Sequence, residues 1–441
     1  MGVILLFVVV GLPFAGGGAC LRLGAANAER ALRVSVGVAL VLVLTVSLAV
    51  IDVEIPLVAG RTLVLKSVAQ LGIQLLGLAM LGFVLARTTD APDVIAGWLP
   101  TAWVSLGGLT LSLLLTPLPL AVLVFLGAAL LWPFGLPGAA RRAATGVVMR
   151  FAALLALSMP VILIAFRLAE ERTGATPGLE HLVLALAVPA FGLLIGVVPL
   201  HAWSLTVAGG APRPMLFGVL LLVQTASFGL LLRTLATYTW MTGVAGDALV
   251  VGGALSALVG GWLALAARRD DPDDWLVYAT VANSGMLLAG LGTQSAGAGA
   301  GVAMLLFARV LALVTLALAP RVGRSLRRLG YAAGTLVLAG TPGLVGFPGL
   351  WLILRRLQAT EHTLANLAIL AGSGFLFATA VRRWRADPGD DSVDGPAESE
   401  DPGARRAVIS LMVLVIVLGF APQVIATAFA TAVQDLFFAK P

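Results

Sequence analysis

Residues 192–203 read GLLIGVVPLHAW, an apolar run interrupted by glycine and proline, and APRP follows at residues 211–214. A second run of this kind, LVLAGTPGLVGFPG, covers residues 336–349. Proline lacks a backbone donor and glycine loosens a helix, so each freed carbonyl must find protein or water as a partner. Such paired interruptions are typical of inverted-repeat transporters, although proline also kinks ordinary packed helices. The predicted helix-break positions are Pro199, Pro212, Pro214, Pro342, Gly346, Pro348 and Gly349.

The composition around these runs is that of an integral membrane protein. The 441 residues are 59% hydrophobic and 11% charged, with a mean hydropathy of +1.02, whereas a soluble chain carries about 25% charged residues. Cys20 is the only cysteine, and neither a CxxCH pattern nor a glycine-rich dinucleotide motif is present, so we predict no cofactor and no metal site. The net charge of +6 does not indicate nucleic-acid binding, because Lys and Arg lie between apolar runs.

The apolar runs predict an all-α integral membrane protein with about fourteen transmembrane helices, since a hydrocarbon core of about 30 Å takes roughly 20 residues as a helix. The breaks fall in the seventh and twelfth spans, five apart, which suits two inverted five-helix repeats formed by spans 4–8 and 9–13. The predicted spans are 2–21, 32–51, 66–86, 95–115, 117–136, 147–167, 181–200, 213–233, 248–267, 275–293, 298–319, 331–354, 363–384 and 407–430. The predicted domains are an N-terminal three-helix segment (1–94), the first inverted repeat (95–237), the second inverted repeat (248–385), an acidic disordered cytoplasmic linker (386–406) and a C-terminal helix (407–441).

The basic residues predict the orientation in the membrane. An even number of spans puts both termini on one side, and an outer placement leaves nineteen Lys and Arg residues in inner loops against eight in outer loops, with Arg309 inside a span. This bias predicts a multi-pass protein of the cell's inner (plasma) membrane with both termini on the outer (periplasmic or extracellular) side. Segment 386–404, ADPGDDSVDGPAESEDPGA, is too polar to order itself, so it is interpreted as a solvated linker, with a docking site for a soluble partner as the alternative.

Three stretches in order carry a family resemblance. VPLHAW at residues 198–203 with APRP at 211–214 resembles VPxHxWLPDAHxxAPxP, and GLLLR follows at 229–233. DPDDWLVYATVANSG at 271–285 aligns with DxxxLLAYSSxxHxG, and residues 338–349 resemble LAGxPPLxGFxG. The chain thus resembles the antiporter-like membrane subunits of NADH-quinone oxidoreductase (respiratory complex I) and the Mrp-type cation/proton antiporters. In length it is similar to the shorter members, which lack a lateral helix.

The resemblance implies proton translocation along buried lysines, a glutamate and histidines at mid-membrane, where ionisable groups are costly and mark function. In this chain the corresponding positions hold groups that do not titrate near neutrality. The lost family charges fall at Ala128, Leu194, Leu313 and Leu350, and amides stand at Gln224 and Asn283.

The remaining candidates for a transport path are His201, Gln224, Asn283 and Arg309. His201 matches the family's VPxH histidine, and it has either a transport role or a capping and packing role. Arg309 lies in an otherwise apolar span, so we expect it to face acceptors inside the bundle. It is interpreted as a structural lock, with an anion-attracting or gating charge and a misplaced span as alternatives.

These features favour a membrane-arm subunit of a complex I-like or Mrp-like assembly that has lost pumping and keeps a structural or coupling role. Such a subunit would take part in an oxidoreductase-type translocase without catalytic residues of its own. Its expected partners are the lipid bilayer, other membrane subunits and peripheral redox subunits. One alternative is an active proton or cation translocator with a different polar path, including the membrane partner of an inorganic-carbon uptake system. A second is a stand-alone transporter of a small solute.

Overall fold

The structure is a computed structural model that describes residues 2–48, 53–57, 60–86, 92–135, 145–171, 178–267, 273–385, 402–427 and 429–430. The described chain is helical apart from three short strands and forms two compact units. One unit takes the residues up to Ile195 together with Gly210–Val244, and the other takes Gly196–Gly209 and the described residues from Ala245 onward. Most of the predicted linker, residues 386–401, lies outside the described residues.

The first unit is built on eight helices within the described residues. They are α1 (Gly2–Leu23), α2 (Ala28–Leu48), α3 (Ser67–Leu85), α4 (Pro92–Leu114), α5 (Leu118–Leu130), α6 (Thr145–Glu170), α7 (Leu179–Ile195) and α9 (Arg213–Thr237). Helix α9 contacts α3, α4 and α7 and is buried along almost its whole length, so it forms the centre of this unit. A single π-helical turn, Val219–Val223, interrupts it just before Gln224.

The first unit also contains three short strands. Strands β1 (Val53–Pro56), β2 (Thr62–Leu65) and β3 (Leu115–Thr116) pair antiparallel in the order β1-β2-β3. Thr62 faces Thr116 in the register, and their hydroxyls are in contact. A hydropathy window of a whole span does not detect strands of two to four residues, which is why the sequence did not predict them.

The second unit contains the two pieces of the other interrupted span. Its described helices are α8 (Ala202–Gly210), α10 (Thr239–Ala266, from Ala245 on), α11 (Asp274–Gly292), α12 (Ala296–Leu318), α13 (Arg324–Leu338), α14 (Gly346–Ala359), α15 (Thr363–Trp384) and α16 (Pro402–Phe420). Ser295 caps α12 by accepting a hydrogen bond from the Ala298 backbone N–H at 3.2 Å. Helices α11 and α12 are almost wholly buried and form the centre of this unit.

Small residues bring the helices of the second unit together. A Cβ on Gly253 of α10 would lie 2.5 Å from the Ala289 backbone nitrogen of α11, and a Cβ on Gly261 would lie 2.5 Å from the Gly372 oxygen of α15. Close backbone approach over glycine is the usual basis of helix association in lipid, because lipid supplies no hydrophobic drive between helices.

By length and composition, eleven helices of the described residues can cross a membrane, and Leu118–Leu130 and Leu179–Ile195 are shorter apolar helices. The chain is therefore a multi-pass membrane protein, as the composition predicted. The exact number of fourteen passes stays a prediction.

Candidate functional site

The first helix break is closed by an amide. Helix α7 ends at Ile195, and Gly196 follows with φ of 75°, a conformation that favours glycine. The Gln224 side-chain nitrogen of α9 donates to the Ile195 carbonyl oxygen at 3.1 Å. Gln224 is buried, so this bond satisfies a carbonyl that the break would otherwise leave without a helical partner.

The second break is closed in the same way. Helix α13 ends at Leu338, and the chain turns through Gly340 with φ of 67° before α14 begins at Gly346. The Asn283 side-chain nitrogen of α11 donates to the Leu338 carbonyl oxygen at 3.0 Å. One residue further on, the Ser373 hydroxyl of α15 donates to the Ala339 carbonyl oxygen at 2.6 Å.

The two breaks are therefore closed by the same kind of hydrogen bond. In each, an amide from a neighbouring buried helix donates to the last carbonyl of the helix that ends. Both amides stand where the family resemblance expects a titratable residue. An amide nitrogen carries its donors at every physiological pH, so these bonds do not depend on protonation.

Arg309 lies in the middle of α12 and is fully buried. Its guanidinium donates to the Thr280 carbonyl oxygen at 3.2 Å and to the Ser284 hydroxyl at 2.7 Å, both on α11. These two residues flank Asn283, so the structure brings Arg309 and Asn283 to the same turn of α11. The span is correctly placed around Arg309, and the arginine ties α12 to the helix that closes the second break.

His201 lies in the turn before α8, half-buried. Its ring centroid is 5.8 Å from that of Tyr278, and its Nδ1 has no hydrogen-bond partner among the described residues. The Ser204 hydroxyl donates to the His201 carbonyl oxygen at 2.6 Å, which anchors the start of α8. His201 is thus near Tyr278 of α11 rather than at the turn occupied by Asn283 and Arg309.

The positions of the lost family charges are buried and apolar. Ala128, Leu194, Leu313 and Leu350 are exposed by 4%, 2%, 0% and 3%. Ala128 packs against Gly108, where an added Cβ would lie 2.7 Å from the alanine methyl group. Leu350 packs over Gly340, where the corresponding distance to the leucine is 2.6 Å. Side chains and backbone fill the space at these two positions.

The predicted prolines lie where helices begin or where the chain turns. Pro212 precedes α9 and Pro214 lies in its first turn, where the missing N–H is not needed. Pro348 lies in the first turn of α14 beside Gly349. Pro199 and Pro342 lie in the two connecting turns themselves, outside the helices.

Arg233 is a buried residue that the sequence analysis missed. The positive-inside pattern predicts it among the eight outer-loop basic residues, but it is only 8% exposed in the last turns of α9. Its guanidinium donates to the Ser112 carbonyl oxygen at 2.7 Å and to the Leu115 carbonyl oxygen at 2.5 Å. A cation at the C-terminal end of a helix, here α4, is favoured by the exposed carbonyls. The GLLLR run was the available signal, but it does not indicate burial.

Few charged side chains of the described residues are buried in the interior. Among the described side chains, the buried charged ones are Arg233 and Arg309, and no described Asp, Glu, Lys or His falls in the buried class. Within the same part of the chain, no group of three or more His, Cys, Asp and Glu side chains is placed to hold a metal ion.

Comparisons with known proteins find similarity to antiporter-like membrane subunits. A family model described as "NADH:quinone oxidoreductase/Mrp antiporter, TM" matches residues 146–329. Subunit N of the NADH-quinone oxidoreductase of Heliobacterium modesticaldum is 27% identical over 293 residues, which are 59% of this chain and 59% of that relative. The chain is thus similar to this family of NADH:quinone oxidoreductase and Mrp antiporter proteins over residues 146–329, less than half of its length.

Solved structures share the fold over almost the whole chain. A chain of respiratory complex I from Thermus thermophilus is similar with a TM-score of 0.76 and 21% identity, covering 96% of this chain and 99% of that one. A chain of the Mrp complex from a Dietzia species is similar with a TM-score of 0.77 and 15% identity, covering 98% of this chain and 97% of that one. Both matched structures are of membrane complexes.

Proposed function

We propose that this chain is a membrane-arm, antiporter-like subunit of a complex I-like or Mrp-like assembly, and that it does not pump protons through the family's charged path. The observation that carries the proposal is the interior of the protein. Its buried charged side chains among the described residues are two arginines, and an arginine does not release its proton in a protein. Transport by protonation needs groups that change charge.

The proposed role is structural coupling between neighbouring subunits. Two amides close the helix breaks by bonds that protonation does not switch. We propose that eleven long helices and three shorter or interrupted passes make fourteen spans arranged as two inverted repeats. We further propose residence in the plasma membrane with both termini outside, as the distribution of basic residues favours.

Reconstitution of the purified chain into liposomes tests the absence of pumping. With a pH-sensitive dye inside and a potassium diffusion potential as the driving force, we expect proton entry no faster than in protein-free liposomes. A protonophore added at the end shows that the vesicles were tight. Proton entry above the protein-free rate that is lost in Gln224→Leu and Asn283→Leu contradicts the proposal.

Purification in mild detergent tests the assembly. We expect the chain to travel with other membrane subunits, and with peripheral redox subunits where the assembly is of the complex I type. A chain that purifies alone from its native membrane, and transports a small solute after reconstitution, identifies a stand-alone transporter instead.

A second candidate function rests on buried polar atoms that have no partner among the described residues. Thr110 Oγ1 and Thr225 Oγ1 in the first unit, and Asn283 Oδ1 and His201 Nδ1 in the second, are of this kind. Buried water usually satisfies such atoms. Water held by these atoms within either unit is the alternative route for a proton or cation, and the liposome assay distinguishes the two functions.

A further inference from the structure

A cavity of about 450 Å³ lies in the second unit between α12, α13, α15 and α16. This volume falls within the range of ligand pockets, about 300 to 1,000 Å³. Its walls are almost entirely apolar, and they include Leu329, Val337 and Leu344. Phe377 and Trp384 also line it and are about half exposed, so the cavity opens to the side of the helices.

The length of the cavity corresponds to one leaflet of a bilayer. Along α13 the lining runs from Leu329 to Val337, a distance of about 12 Å at 1.5 Å per residue. Half of a hydrocarbon core of about 30 Å is about 15 Å. The deep end reaches Leu344 in the second helix break, and the shallow end lies at Trp384 and Arg385 at the end of α15.

The shallow end is basic. Arg385 lines the cavity itself. Arg328 directly precedes Leu329, and Arg405 lies seven residues before the lining residue Met412, which is the same face of α16. An apolar slot of leaflet depth with Trp384 and Arg385 at its mouth is complementary to an anionic phospholipid.

We propose that this cavity binds one anionic phospholipid, with an acyl chain between α13, α15 and α16 and its phosphate at Arg385. The acyl chain contacts the break at Leu344. The neighbouring Val345 N–H donates to the Val415 carbonyl oxygen of α16 at 3.0 Å. A lipid in this place therefore supports the packing of α16 against the interrupted span.

Native mass spectrometry of the full chain in mild detergent tests the proposal. The probes are dioleoyl-phosphatidylglycerol and dioleoyl-phosphatidylcholine, and the acidic segment 386–401, with its seven Asp and Glu residues, stays in place. We expect the phosphatidylglycerol to bind at least fivefold more tightly. Equal binding of the two lipids, or competition by glycerol 3-phosphate at the same concentration as the lipid, overturns the proposal.

Two variants, each with a control, distinguish binding through the lipid headgroup from binding through the acyl chain. Arg385→Ala is expected to bring the two lipids within twofold of each other, whereas Arg355→Ala, at an exposed arginine of α14, leaves the preference unchanged. Ala333→Trp fills the cavity and is expected to weaken both lipids at least fivefold, whereas Ala371→Trp, at an exposed site of α15 outside the cavity, does not. Equal effects of the two tryptophans would mean that the lipid is only part of the general lipid shell. Because Arg385 is exposed, its variant stays informative if a tryptophan variant fails to fold.

Discussion

Replacing Leu350 by lysine restores a family charge and measures how apolar the second break is. Leu350 is 3% exposed and packs over Gly340, which directly follows the two residues whose carbonyls accept bonds from Asn283 and Ser373. On insertion scales lysine at a helix centre costs about 3 kcal/mol and leucine gains about 0.5 kcal/mol, so the difference is about 3–4 kcal/mol. Leu350→Met keeps the volume and is expected to cost less than about 1.5 kcal/mol.

The measurement is the apparent unfolding midpoint of the detergent-purified chain, followed by size-exclusion fluorescence after heating. One kcal/mol shifts the midpoint by about 2–4 °C in chains of 150–250 residues, and by about half as much here because the unfolding entropy grows with length. Leu350→Lys is then expected to lower the midpoint by about 3–8 °C, whereas Leu350→Met is expected to lower it by less than about 3 °C. A lysine variant as stable as the methionine variant would refute the reasoning, because the site would then hold enough water or acceptors for a charge.

Three further predictions concern helix contacts and the half-buried tyrosine of one turn. Gly253→Ala is expected to lower stability by about 1–3 kcal/mol, because its Cβ meets the α11 backbone at 2.5 Å, whereas Gly252→Ala, with nothing within 4 Å, is neutral or stabilising in the same thermal assay. Gln224→Leu and Asn283→Leu are each expected to cost about 1 kcal/mol in that assay, because each leaves a buried carbonyl unpaired. Burial raises the pKa of Tyr238, in the turn after α9, to about 12. The stability from its neutral form is therefore lost between about pH 10 and 12, and ultraviolet titration against Tyr238→Phe measures it.

The membrane class and the two interruptions could be predicted from sequence because they depend on local chemistry. The hydropathy of a span depends only on its composition. A helix break can be predicted from residues such as Gly196 and Gly340, because glycine readily adopts positive φ. The resemblance is supported by a family model over residues 146–329, a range that contains the first two of the three stretches. The loss of proton pumping that follows from the missing family charges stays a prediction.

The contacts of the site could not be predicted, because they join residues far apart in the chain. Asn283 and Leu338 are 55 positions apart, and Arg233 and Ser112 are 121 apart. Sequence assigned Arg233 to a loop because charge at the end of an apolar run usually lies in water. The structure instead buries it against the carbonyls at the end of α4, and only the packing of α9 in the centre of its unit determines that outcome.

The amides at the breaks give a physical reason for the proposed coupling role without pumping. A lysine donating to the last carbonyl of α7 or α13 would lose donors and charge together on deprotonation, so the break could change shape during a transport cycle. Gln224 and Asn283 keep the same donor at every physiological pH. Arg309 adds a permanent charge that holds the Asn283 turn of α11 against α12. We infer that the interrupted helices act here as rigid packing surfaces for neighbouring subunits. Protonation does not change the hydrogen bonds that close their breaks.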